Sequence, residues 1–395
     1  MPMRRSRRFL SLILLVGVLA ALVAAQEPEA ADAGPATAQN TAQKPARLVE
    51  KEMWVPVPQS FPNGLDVLEV YVDRPGRHPL VVLTHGTAAN PEERAHVTPW
   101  AQSSQAQWFA RRGYVAFVVV RKGYGRSGGR QDSTNGGCGP RGGSFEQTGE
   151  ASAEDLRAVM EFAKKLPEVD GETILSAGVS TGGFAQAALA ADPPQGLKAA
   201  ISFAGGRGGD GHEHNCDLSG VIGAFHTYGK SAHKHGDLPM LWIYSENDHW
   251  FPPEMARQFD AAYKKGGAVN QFVMAPPDGE EGHHLYMHVA AWSDTVTAFL
   301  KAQNLLPLGD TVLPEPEPIN LPMPATLKDK DKDMWRRFLL APPYKTLVVN
   351  ESGELSISAA AFDQALADSK AIDKCKKASS GGKSCSIVAK TPGVK

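Results

Sequence analysis

Residues 174–189 read ILSAGVSTGGFAQAAL. An apolar run stops at Gly178, one serine follows two residues later, and Gly182 and Gly183 lead into an alanine-rich stretch. The pattern predicts strand, sharp turn, helix. A serine pushed out of such a turn projects from the C-terminal edge of a sheet. The residues two before and two after it then crowd each other, so both must be small. Here both are glycine, Gly178 and Gly182. The turn also puts Ser180 at a helix N-terminus, where the partial positive charge favours a developing anion. The competing reading is a tight turn that merely contains a serine, and the rest of the chain has to separate the two.

Outward from this stretch, strand-like and helix-like runs alternate. LVVLTHG (80–86) and YVAFVVVRKGYG (114–125) are continuous apolar runs rich in β-branched residues that end in glycine loops. Such runs suit strands buried on both faces of a parallel sheet. TILSAGVS (173–180), AAISFAGG (199–206), LPMLWIYSEND (238–248) and QFVMAPP (271–277) continue the series. LDVLEVYVD (65–73) alternates as an exposed strand does. Helical spacing recurs between them, in AEDLRAVMEFAKKL (153–166), FAQAALAAD (184–192), PEMARQFDAAYKKGG (253–267) and HVAAWSDTVTAFLKAQ (288–303). The alternation predicts an α/β fold over residues 51–305, a doubly wound and mostly parallel sheet.

The ends of the chain differ in character. Four arginines and the N-terminal amine precede an uncharged run from Phe9 to Ala25, and polarity returns with QEPEA. This is the layout of a secretory signal over residues 1–25, with Val23 and Ala25 suited to the positions before a cut; an uncleaved anchor is the alternative. Residues 26–50, rich in Ala, Gln, Pro and Thr, read as a flexible tether. The proline-dense segment 306–330 reads as a linker or a strap along the surface. Residues 331–395 form a small α+β unit, with strands at 345–350 and 385–390 and a helix at 359–375.

Bulk composition excludes some classes. Of 395 residues, 42% are hydrophobic and 21% charged, and the net charge is only -2. That is a globular profile without the basic stripe that nucleic acid requires, and contact with a membrane is expected only through an uncleaved signal. Four cysteines, Cys138, Cys216, Cys375 and Cys385, permit three pairings. Nearness in sequence favours 375–385. The glycine-rich settings of the other two favour 138–216, which would brace the rim of a pocket; four free thiols are the alternative.

GVSTGG (178–183), LTHG (83–86), RKGYGRSGG (121–129), SENDHWFPP (245–253) and DGEEGHHL (278–285) occur in the order found in the α/β-hydrolase superfamily, and residues 65–303 resemble it. Cap-less dienelactone-hydrolase-like esterases and peptidase-like hydrolases of exported bacterial type look most similar. That family usually carries glycine where Ser245 stands. The resemblance implies a catalytic triad in the order Ser180, Asp248, His283, with Glu246 as the competing carboxylate and His284 as the competing base. It also implies an oxyanion hole from the N–H groups of Thr181 and Thr87, and no cofactor or metal. A serine hydroxyl is a poor nucleophile without a base in reach, imidazole titrates near neutral pH, and a carboxylate fixes its tautomer. Asp248 can instead be read as the cap of the helix near Pro253. His85 reads as a brace for its loop. His212, His214, His233 and His235 form two H-x-H pairs, a weak metal pattern that solvated loop histidines explain as well. The expected partner is a small-molecule or peptide acyl substrate in a rather open site. A non-catalytic scaffold of the same fold is the alternative from another class.

Overall fold

The computed structural model of the chain describes residues 46–88, 90–130, 138, 144–306, 312–314, 321–378 and 384–391. The expected signal segment and residues 26–45 of the expected tether lie outside the described residues, as do 307–311 and 315–320 of the proline-dense segment.

The continuous apolar runs become strands because both of their faces are covered. In β3 (His78–Thr84), Leu80 and Val82 join one core while Val81 and Leu83 join another. β4 (Val115–Val120) divides in the same way, with Val115, Phe117 and Val119 facing one side and Ala116 and Val118 the other. This is the two-residue period of a pleated strand with helices on each face. The sheet also contains β1 (Leu48–Val55), β2 (Leu65–Val72), β5 (Val169–Val179), β6 (Leu197–Phe203), β7 (Met240–Ser245) and β8 (Gln271–Ala275). Its order is β1-β2-β4-β3-β5-β6-β7-β8. β3 to β8 run parallel, while β2 lies antiparallel to both β1 and β4.

The helices are α1 (Pro91–Arg94), α2 (Ser103–Arg111), α3 (Phe145–Ala163), α4 (Thr181–Ala191), α5 (Leu218–Lys234), α6 (Pro253–Lys265) and α7 (Val289–Ala302). α2 and α7 cover one face of the sheet, and α3 to α6 cover the other. The predicted doubly wound, mostly parallel α/β sheet is therefore present. One expectation fails: β2 is not an exposed strand. β1 pairs outside it and apolar residues cover both its faces, so even Asp66 and Glu69 are 1% exposed. Asp66 accepts from Arg126 Nε at 3.0 Å.

Two buried connections set the loops around the site. Lys122 lies 3.0 Å from Asp155 on α3, and its backbone N–H donates to the same carboxylate at 3.0 Å, which pins the glycine-rich loop after β4. The same loop is tied to β2 and to the end of β4 by Ser127, whose hydroxyl accepts from Asp66 N at 2.9 Å and donates to Val120 O at 2.6 Å.

Beyond the sheet, α8 (Lys332–Leu340), β9 (Thr346–Asn350), β10 (Leu355–Ser358), α9 (Gln364–Ala378) and β11 (Cys385–Lys390) follow. Their antiparallel sheet has the order β10-β9-β11. Leu327, Trp335, Phe338 and Leu347 form its small core, and Cys375–Cys385 ties α9 to β11 with Cα atoms 6.3 Å apart. These elements pack against the loops of the larger sheet. Thr98 Oγ1 donates to Ala360 O at 2.7 Å, Tyr344 meets Trp100 edge-on at 5.1 Å, and Arg126 lies 4.3 Å over Phe362.

Candidate active site

The stretch between β5 and α4 makes the sharp turn that its glycines predict. Ser180 has φ 56° and ψ -119°, a conformation that a residue with a Cβ rarely adopts. The flanking glycines are required by contact. A Cβ on Gly178 would run into the carbonyl of Gly182, and one on Gly182 would lie 2.5 Å from His85 O and 2.8 Å from Thr84 O. Every residue of α4 is buried, which its run of alanines permits. The loop after β3 also comes close, since a Cβ on Gly86 would stand 3.0 Å from Ser180 Cβ.

Asp248 lies three residues beyond β7, and His283 lies in the 3-10 turn Gly282–Met287 after β8. Both belong to loops at the C-terminal edge of the sheet, the edge at which Ser180 projects. His283 Nδ1 stands 3.1 Å from Asp248 Oδ1 and 3.0 Å from Oδ2. Asp248 is 1% exposed, and its Oδ1 also accepts the N–H groups of Trp250 and Phe251, each at 2.8 Å. The carboxylate thus turns its own loop and holds the imidazole at once, while Pro252 stands at the N-cap of α6. Glu246, the competing carboxylate, is exposed. His284, the competing base, is largely solvent-exposed at the edge of the same cleft, and the partial desolvation there together with the neighbouring His283 lowers its pKa. Trp250 stacks on the His283 ring at 5.5 Å, and Phe251 meets it edge-on at 5.4 Å.

Ser245, where the resembled family carries glycine, fits because the facing residue has no side chain. Its hydroxyl donates to Pro276 O at 3.0 Å and lies 2.8 Å from Asn247 Oδ1, and a Cβ on Gly282 would come within 2.6 Å of it. Glu281 is a site residue that the sequence reading missed. Its Oε1 accepts the N–H groups of His283 at 2.9 Å and His249 at 3.1 Å, and its Oε2 lies 3.2 Å from His249 Nδ1. Burial pushes this carboxyl up, but those donors hold it below its ordinary value. It clamps the acid loop to the histidine loop. The signal was the acidic pair before Gly282; the direction of the side chain is not legible in sequence.

Ser180, Thr181, Thr87, His283, Trp250 and Arg207 line one cleft of about 320 Å³. A shallow depression of about 520 Å³ lies elsewhere, on the outward sides of α5 and α6. Cys138 and Cys216 are bridged, with Cα atoms 5.4 Å apart. The bridge backs the cleft wall, since a Cβ on Gly208 would come within 2.9 Å of Cys216 Sγ and 3.2 Å of Cys138 Sγ. Two disulfides in one chain point to an oxidising compartment, extracellular or periplasmic. No helix among the described residues is long and apolar enough to cross a membrane.

His85 braces its loop. Its Nε2 accepts from Arg121 N at 3.1 Å and its Nδ1 lies 2.6 Å from Gly86 O, so the ring is the neutral Nδ1–H tautomer. Burial and the adjacent Arg121 keep its pKa well below the ordinary value. His212, His214, His233 and His235 are all exposed; His214 pairs with Asp210 at 3.5 Å and His233 with Asp237 at 3.0 Å. Among the described residues, no three His, Cys, Asp or Glu side chains are grouped to hold a metal.

The strand order, with β2 reversed and the serine turn after β5, is the α/β-hydrolase arrangement, and the chain has that fold. A family model described as X-Pro dipeptidyl-peptidase (S15 family) matches residues 63–234, a span that holds Ser180 and ends before Asp248 and His283. Among solved structures, an esterase of Pyrococcus furiosus is similar at 16% identity over 65% of this chain and 93% of its own, with a TM-score of 0.43. A thermophilic esterase of the planctomycete Thermogutta terrifontis is similar at 18% identity over 66% of this chain and 95% of its own, with a TM-score of 0.44. Dipeptidyl peptidase 4 of Porphyromonas gingivalis is similar at 16% identity over 64% of this chain but 35% of its own, with a TM-score of 0.44. Comparison with curated proteins gives no match.

Proposed function

We propose that the chain is an exported serine hydrolase that cleaves carboxylic esters through an acyl-enzyme. The observation that carries this reading is the strained Ser180 in one cleft with the hydrogen-bonded pair Asp248–His283. Strain at a residue with a side chain persists only where the surroundings impose it, and it concentrates where a side chain must be presented. Ser180 Oγ attacks the ester carbon while the second ring nitrogen of His283 takes its proton. Asp248 keeps the other nitrogen protonated and stabilises the imidazolium. The carbonyl oxygen becomes an anion between the N–H groups of Thr181 and Thr87. Collapse expels the alcohol with the proton from His283, and water repeats the sequence on the acyl-enzyme to release the acid. None of these steps uses a cofactor. The cleft is at the small end of the range for ligand pockets, which favours short acyl groups.

The two disulfides support export, and with it a signal at residues 1–25. N-terminal sequencing of the secreted protein is expected to begin at Gln26. A fluorophosphonate probe tests the chemistry: the wild type is labelled and Ser180→Ala is not. A folded wild type that takes no label sinks the proposal. The match to a dipeptidyl-peptidase family over residues 63–234 favours a second reading, amide cleavage. Aryl esters of graded acyl length, run beside peptide p-nitroanilides, separate the two.

A further inference from the structure

Directly after β4 stands Arg121, a side chain only 1% exposed. Its Nη1 donates to Thr84 Oγ1 at 2.7 Å and to His85 O at 2.5 Å, and its Nη2 donates to Thr181 Oγ1 at 3.1 Å. Its backbone N–H donates to His85 Nε2. The guanidinium lies 5.5 Å from the ring of Tyr124, whose hydroxyl is 2.7 Å from Thr87 Oγ1. One side chain therefore grips the loop that carries Thr87, through Thr84 and His85, and also the first residue of α4. These are the two segments whose N–H groups serve as oxyanion donors in the reading proposed above, on which this inference rests.

The charge calls for a separate reason. Among the described residues no carboxylate pairs with Arg121, and its Nε is buried without a hydrogen-bond partner. Burying a cation without a counter-charge is costly, and neutral donors would satisfy Thr84, His85 and Thr181 at less cost. The neighbouring His85 is held neutral, so it adds no second positive charge beside the guanidinium. A fixed positive charge beneath two N–H donors instead complements a negative charge that exists only during the reaction. Preorganised charge of this kind works because the site need not rearrange when the anion appears.

We infer that Arg121 is a positioning residue for the oxyanion hole, fixing the Thr87 and Thr181 donors relative to each other and biasing them electrostatically toward the tetrahedral intermediate. It does not line the cleft, so it acts through those peptides and not by touching substrate.

The test uses Arg121→Gln, which keeps donors but removes charge, Arg121→Lys, which keeps charge but loses the fork, and Thr84→Val, which removes one anchor. The expected result on an aryl butyrate is a fall in kcat of about 10²-fold for Arg121→Gln, with KM within about threefold, in line with the loss of an oxyanion donor. Arg121→Lys is expected to retain part of that rate, and Thr84→Val to lose several-fold. The decisive readout is inhibition by a trifluoromethyl ketone, which adds to Ser180 as an oxyanion. Its Ki should weaken across the series in proportion to the loss of kcat/KM, whereas the affinity of the non-reactive ketone isostere should hold. A merely structural role would weaken both ligands together, and that result overturns the inference. So does a folded Arg121→Gln with kcat within threefold of wild type. Should Arg121→Gln fail to fold, Thr84→Val and Arg121→Lys decide by the same proportionality. Failure of the serine-hydrolase reading looks different, since the wild type itself would then neither take a fluorophosphonate nor form the ketone adduct.

Discussion

Replacing Asp248 by asparagine is expected to disable the site through a single proton. Asp248 Oδ1 accepts two backbone N–H groups at 2.8 Å, and Oδ2 lies 3.0 Å from His283 Nδ1. In Asp248→Asn the amide oxygen must stay on the two backbone donors, because an NH₂ there would oppose N–H to N–H. The NH₂ group then falls where Oδ2 was and donates to Nδ1. That nitrogen becomes an acceptor, the ring proton moves to Nε2, and the base loses the lone pair with which it takes the proton of Ser180. A wrong tautomer of this kind costs on the order of 10⁴ in kcat. At about 1.4 kcal/mol per tenfold, this is ~5 kcal/mol of transition-state stabilisation. The geometry of the loop survives, so KM and the melting temperature should change little. The assay is initial rates on p-nitrophenyl butyrate with a thermal melt in parallel, and Glu246→Gln is the control expected to keep wild-type rates. A folded Asp248→Asn within thirtyfold of wild type would refute the reasoning, as would an equal loss in Glu246→Gln.

Other substitutions test other parts of the structure. Gly182→Ala puts a methyl 2.5 Å from His85 O and 2.8 Å from Thr84 O, both rigid main chain, and should cost about 1–3 kcal/mol in stability by denaturant titration and at least tenfold in kcat. Replacing Cys375 and Cys385 by serine opens a short loop of the small C-terminal sheet and should remove ~3 kcal/mol of its stability, read as faster amide exchange in β9 and β11, with kcat unchanged. Burial and the facing Glu168 raise Glu69 from 4.5 to about 7. The folded protein thus holds a proton that the unfolded chain releases, and stability falls as pH rises from 4.5 to 7. Glu69→Gln should make that fall shallower, so a melting-temperature profile as steep in the variant as in the wild type would contradict the assignment.

Much of the site was legible because it is built from short local patterns. The serine turn needs only a strand, two small residues and a helix start, all within ten positions of Ser180. Asp248 and His283 follow strands whose apolar runs are unmistakable. Other elements were hidden by the contacts that made them. α5 reads LSGVIGAFHTYGKSAHK, and its glycines argue against a helix until the packing is seen. A Cβ on Gly229 would run into the carbonyl of Tyr263, so the glycine records close approach to α6 and not a break. β2 looked half-exposed because Asp66 and Glu69 alternate with apolar residues, yet Arg126 and the pairing of β1 bury them. Arg121 and Glu281 escaped notice because their importance lies in which distant main-chain groups they reach.

The mount of Ser180 is backbone laid on backbone: Gly182 against the His85 carbonyl, and Gly183 within 2.8 Å, counted from an added Cβ, of Gly205 Cα. The turn that presents Ser180 thus depends on no neighbouring side chain's rotamer. The surrounding loops can therefore exchange side chains, and with them the range of molecules admitted, without retuning the reactive atom. Diversification of such a chain should accumulate around the mouth while the seat beneath stays fixed.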